Sequence, residues 1–180
     1  MAQIAHRRAR ETRAGGGILS MIAVMALVFG GLFYAYRAFT IGEWNWWDST
    51  FAEQPQQLTI IDRGERIEVA PGDPLFAELT DALNRSISAG YRFTSTGLSD
   101  PTWERMERDG VMIEAIYREP VKLRGGVQPT ERLLLLLGGE NLWAEQALFR
   151  SNGDRWDRNP LAVNTVEPVR DVLARYGIGQ

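Results

Sequence analysis

Residues 131–139 read Glu-Arg-Leu-Leu-Leu-Leu-Leu-Gly-Gly, with five consecutive leucines at Leu133–Leu137. The reading of this stretch decides the fold. Five apolar residues are too few for a buried helix, and charge before the run and glycine after it mark its limits. A strand with one wet face would alternate apolar and polar side chains, so the unbroken run predicts a central strand covered on both faces.

The neighbouring segments supply a sheet for it. Val111–Tyr117 reads as a second strand, and Pro120 demotes the following run, Val121–Leu123, to an edge or bulge. Further upstream, Leu58–Asp62 and Arg66–Ala70 are β-rich runs on either side of Arg63-Gly64-Glu65, the pattern of a hairpin, and Tyr91–Thr96 is another strand. Downstream, Leu142–Arg150 and Arg155–Trp156 flank Asn152-Gly153, the strongest hairpin dipeptide in the chain.

Two segments change period. Leu75, Phe76, Leu79, Leu83 and Ile87 recur at helical spacing behind Asp73-Pro74, with Asp73 expected as N-cap and Gly90 closing the helix. Val169, Val172, Leu173 and Tyr176 do the same behind Thr165 and Pro168, and Gly177 ends that helix. The polar stretch around Trp103 and Met106 has room for a short helix. The expected fold class is α+β: a mainly antiparallel sheet with two helices packed on one face, preceded by one transmembrane helix.

That helix is expected over 14–36, an uncharged run between Arg13 and Arg37. About 20 helical residues cross a ~30 Å hydrocarbon core. Residues 1–13 carry four Arg against Glu11, which places this short basic tail in the cytoplasm and the rest of the chain in the periplasm or extracellular space. A cleaved signal peptide would have a shorter apolar core and small residues at its end, whereas Tyr34-Ala35-Tyr36-Arg37 is bulky. Arg7-Arg8 is not followed by the apolar pair of a twin-arginine signal.

Tyr34, Tyr36, Phe39, Trp44, Trp46 and Trp47 cluster just beyond the run, as an interfacial aromatic anchor or a docking patch for a neighbouring subunit. Ala26 with Gly30, and Gly31 with Ala35, are small pairs of the kind that let two spanning helices approach, in a partner or a second copy. Residues 37–57 are expected as aromatic segment and polar linker, holding an extracytoplasmic domain, 58–180, within a few nanometres of the bilayer.

The composition excludes much chemistry. There is no Cys, and the only His is His6, so disulfides, thiolate or imidazole metal sites, His-ligated or Cys-attached haem and Cys- or Ser-His catalysis are absent from residues 58–180. No cofactor is expected. Residues 38–180 hold 15 Lys and Arg against 22 Asp and Glu, a charge of −7 that disfavours nucleic acid.

Three carboxylate groupings remain. Asn152, Asp154 and Asp157 lack the acidic ladder of a calcium loop and read as a solvated turn. Asp100, Glu104, Glu107 and Asp109 interleave with Arg105 and Arg108 as a salt-bridged exposed face. Glu114 and Glu119 sit near apolar strand residues, and Glu114 is expected to point outward by strand alternation.

The expected function is therefore non-catalytic: an accessory subunit of a larger energy-converting or transport membrane complex, its soluble domain docked on the extracytoplasmic face. The alternatives are a membrane-anchored regulatory or sensory module acting on a partner, and an envelope domain that stacks sugars on Trp103, Trp143 or Trp156.

Overall fold

The computed structural model describes residues 2–41, 50–94, 97–125, 127–139 and 146–179, with the side chains of 2–16, 41 and 139 outside that description. The chain divides into two units, Met1–Asp48 and Ser49–Gln180. Among its described residues the first is one helix, α1 (Ala2–Ile41). It runs unbroken through Gly15-Gly16-Gly17. Each glycine costs a helix about 1 kcal/mol relative to alanine, but an existing helix extends at one hydrogen bond per residue and carries through.

The second unit is an α+β fold. Its strands are β1 (Gln57–Asp62), β2 (Glu65–Val69), β3 (Tyr91–Phe93), β4 (Gly110–Val121), β5 (Thr130–Gly139), β6 (Ala147–Ser151) and β7 (Leu161–Val163). They form one seven-stranded sheet in the order β2-β1-β4-β5-β6-β7-β3, with every pair antiparallel. The helices are α2 (Pro74–Ser88), α3 (Asp100–Asp109) and α4 (Glu167–Arg175).

Local chemistry explains most boundaries. Asp73 accepts the Leu75 N–H at 2.8 Å and Pro74 opens α2. Thr165 Oγ1 accepts the Glu167 N–H at 3.2 Å at the start of α4. The β1–β2 turn has positive φ at both central residues, Arg63 (50°) and Gly64 (85°), the two-residue geometry whose twist matches a hairpin. Glu65, Arg66 and Glu68 put charge on the edge strand β2, which guards its open hydrogen-bonding side.

The leucine strand β5 is the central strand of the seven, between β4 and β6 with three strands on either side, and is buried on both faces. Leu133, Leu135 and Leu137 join the main core, to which α2 and α4 contribute Leu79, Leu83, Val169 and Leu173. Leu134 and Leu136 face the other way, into a second core with Met112 and Phe149, closed by Trp103 and Met106 of α3. Two helices therefore cover one face and the third covers part of the other.

The hairpin expected at Asn152-Gly153 differs in its second arm. Residues 155–156 are not a strand, and β6 pairs instead with β7, at Leu148–Leu161 and Ala147–Ala162. Asn152 is drawn away to β5, donating to the Pro129 carbonyl (2.8 Å) and accepting the Glu131 N–H (2.9 Å).

Of the expected linker 37–57, residues 37–41 continue α1, 42–49 lie outside the described residues, and 50–57 fold with the second unit. Phe51 and Pro55 are buried, the Phe51 N–H donates to Ser88 Oγ at 2.7 Å, and Asn84 Nδ2 donates to the Glu53 carbonyl. Folded structure thus begins before Leu58, because an aromatic ring and a proline within a polar stretch find apolar cover that no local pattern announces. The Phe51 ring packs edge-on against Tyr117 of β4, with centroids 6.5 Å apart.

The Tyr117 hydroxyl is buried and has no hydrogen-bond partner among the described residues. Burial, with a smaller effect of the Glu53 carboxylate, pushes this phenol well above its ordinary value of 10.0. The unfolded chain releases this proton near pH 10 while the folded chain keeps it, so stability falls as pH rises above about 10. Tyr117→Phe is expected to raise stability at neutral pH by about 1 kcal/mol, by removing an unpaired buried hydroxyl. It should also lessen the alkaline loss, as read by urea unfolding of the full chain in neutral detergent at pH 8 and above 10. An equal alkaline loss in both proteins would contradict this.

Candidate functional site

Two features of the chain carry functional weight: the surface of α1 and a polar cavity on the sheet face that carries α3. Within α1, residues Gly17–Thr40 form a 24-residue stretch long and apolar enough to cross a membrane, with none of its most apolar window buried inside the chain. Its large side chains stand open, among them Leu19, Leu27, Phe33, Tyr36 and Phe39. The hydroxyls of Ser20 and Thr40 donate back to the carbonyls of Gly17 (3.0 Å) and Tyr36 (2.7 Å). Such back-bonding leaves no hydroxyl donor to be paid for in an apolar surrounding.

Ala26, Gly30, Gly31 and Ala35 are exposed along the same stretch, and a Cβ built at Gly30 or Gly31 meets nothing within 4 Å. Tyr34 is half-buried, whereas Tyr36 and Phe39 are exposed. Trp44, Trp46 and Trp47 lie outside the described residues, as does Trp143.

The polar cavity is lined from β1, β2, β4 and β5, the β1–β2 turn, helix α3 and the loop that carries Trp156. Glu114 on β4 is directly opposite Thr59 of β1 and Leu134 of β5. Its side chain is only 3% exposed. The expectation that it points to solvent is corrected here. Alternation does turn Glu114 away from Ile113 and Ala115, but the face it turns to is covered as well. The signal was present in the leucine run: a strand buried on both faces requires that its neighbour's second face be buried too.

Burial of a carboxylate demands compensation. The two oxygens of Glu114 are divided between two arginines. Arg66 Nη2 donates to Oε2 at 2.5 Å, and Arg132 donates to Oε1 from Nη2 (2.5 Å) and Nε (3.2 Å). Arg132 Nη1 donates to the Gly153 carbonyl at 2.8 Å. The Arg132 guanidinium also lies over the Trp156 ring, 4.9 Å from its centroid, a cation–π arrangement. The cavity beside this triad measures about 310 Å³, with Ile61, Met112 and Leu134 as apolar lining and Glu107 as a further charged one.

Two other cavities are less endowed. One of about 330 Å³ between β5 and α4 is lined by Leu137, Leu173 and Ile178, and its Arg170 is already held by the Leu137 carbonyl and Glu167. Another, of about 230 Å³, lies on the other side of Trp156 and contains the Arg150–Asp157 ion pair.

The remaining sequence candidates do not converge. Trp103 is buried and packs edge-on against Phe149 at 5.2 Å, so it serves the second core. On α3, Asp109 pairs with Arg108, whose hydrogen bond holds the carboxyl below its ordinary range, and Asp100 pairs with Arg158. Among the described residues no three His, Cys, Asp or Glu side chains are placed to hold a metal ion. Compared with protein-family models, curated proteins and solved structures, the chain matches none.

Proposed function

We propose that this chain is a single-pass membrane protein, its N-terminus cytoplasmic and its α+β domain extracytoplasmic, that serves as a non-catalytic accessory subunit of a larger membrane complex. The observation that carries the reading is the stretch Gly17–Thr40, apolar throughout most of its length with its most apolar window wholly unburied within the chain. Apolar surface of that length finds its cover in lipid or in other spanning helices. The Arg-rich residues 1–13 support the orientation. The small residues Ala26, Gly30, Gly31 and Ala35 support close approach of a neighbouring helix, and Tyr34, Tyr36, Phe39, Trp44, Trp46 and Trp47 support an interfacial or partner contact. Composition supports the absence of catalysis, because the domain offers neither Cys nor His to a mechanism.

Affinity purification of the tagged full chain in mild detergent, with mass spectrometry of what accompanies it, tests this directly. Membrane subunits in stoichiometric amounts are the expected result; a clean monomer or homodimer would remove the accessory-subunit reading. The double substitution Gly30→Leu with Gly31→Leu sharpens the test. The space around both glycines is open within the chain, so helix insertion should persist while co-purification drops by about tenfold, the effect of a lost helix–helix contact worth about 1–2 kcal/mol.

A further inference from the structure

The cavity beside Glu114 is lined by one arginine, Arg66, that gives the buried carboxylate only one of its nitrogens, a feature independent of what α1 contacts. Arg132 holds Oε1 of Glu114 and Arg66 holds Oε2. Arg132 is fully committed, with two nitrogens on Glu114, the third on Gly153 and its face on Trp156. Arg66 reaches Glu114 through Nη2 alone, and its side chain is 59% exposed. Among the described residues it makes no second ion pair.

We propose that Arg66 is the anion-binding group of a small-molecule site, and that the ligand is a monocarboxylic acid with an apolar body. The cavity volume of about 310 Å³ is at the small end of the range for ligand sites, which run from about 300 to 1,000 Å³. Ile61, Met112 and Leu134 give the ligand body an apolar wall. The planar fork of arginine matches a carboxylate. Two Arg and two Glu line the space, so its charge is balanced. That balance accepts a single added negative charge at Arg66 and resists a phosphate dianion, which would face Glu107 and Glu114 together. A ligand that also carries an ammonium group gains Glu107 as a partner.

Isothermal titration of the full chain in neutral detergent tests the site with three probes: isocaproate, L-leucine (isocaproate with an added α-ammonium) and inorganic phosphate. Saturable binding of at least one of the two carboxylates, with phosphate weaker, is the expected result. Arg66→Gln should weaken it by about tenfold, the loss of one charge-assisted pair. Its fold should persist, since Arg132 keeps Oε1 of Glu114 and the glutamine amide can still donate to Oε2, and an unchanged circular dichroism spectrum would verify that. Arg66→Lys, which keeps the charge but not the fork, serves as the second variant should Arg66→Gln unfold, and it should bind more weakly than the native chain. No saturable binding of either carboxylate, binding indifferent to a folded Arg66 variant, or phosphate binding as tight as either carboxylate would each overturn the proposal.

Discussion

Leu134→Ala and Leu135→Ala are each expected to cost about 3–4 kcal/mol of unfolding free energy, the range for a leucine truncated in a packed core. The pair matters because the two side chains point to opposite faces of β5. Leu135 is fully buried in the main core, opposite Ile113 of β4 and Leu148 of β6. Leu134 is 2% exposed in the second core, opposite Glu114 and Phe149. In a sheet with one wet face, truncating the outward leucine would change stability by no more than about 0.5 kcal/mol. Equal costs at adjacent positions are the signature of a strand covered twice. Urea unfolding of the full chain in neutral detergent measures both, and a near-neutral Leu134→Ala would disprove cover by α3. Against a total stability of about 5–15 kcal/mol, either loss is large.

Gly110→Ala should cost about 3 kcal/mol, at the upper end for overpacking, through one methyl group. Gly110 ends α3 and begins β4. Its φ of −91° and ψ of 157° suit any residue, so conformation does not require glycine here. Space does. A Cβ would lie 2.5 Å from the Met106 carbonyl oxygen and 3.2 Å from Leu136 Cδ1. The first neighbour is backbone in the last turn of α3, and the same carbonyl accepts the Gly110 N–H. Relief therefore requires α3 to shift off the second core. Gly72→Ala is the control: nothing lies within 4 Å of its Cβ, and the substitution should be neutral or mildly stabilising. If Gly110→Ala unfolded at the same urea midpoint as the native chain, the close helix-to-strand passage would be wrong.

Legibility in the sequence followed the range of the interactions involved. The α2 periodicity, the Asp73 cap and the Val169, Val172 and Leu173 face of α4 depend on residues within a few positions of one another and appear in the structure as expected. Tyr176, expected on that face, is instead exposed beyond the helix end, and the expected three-residue turn is two residues, Arg63-Gly64, with Glu65 already in β2. The β7 strand did not appear in the sequence reading because three residues after Pro160 carry no period of their own. It exists because β6 and β3 offer partners on either side. The burial of Phe51 similarly depends on α2 and β4, far along the chain.

Sequence by itself determined the span-length apolar helix, the α+β class and the two-sided burial of the leucine strand, because helix length, period and turn chemistry are local properties. Only the tertiary structure decided what lies on the second face. It brought Arg66 to Glu114 across 48 positions and Arg132 across 18, and set Trp156 beside them. A buried charge is stable only where its partners converge, and convergence is a property of strand order and register, which no single segment contains.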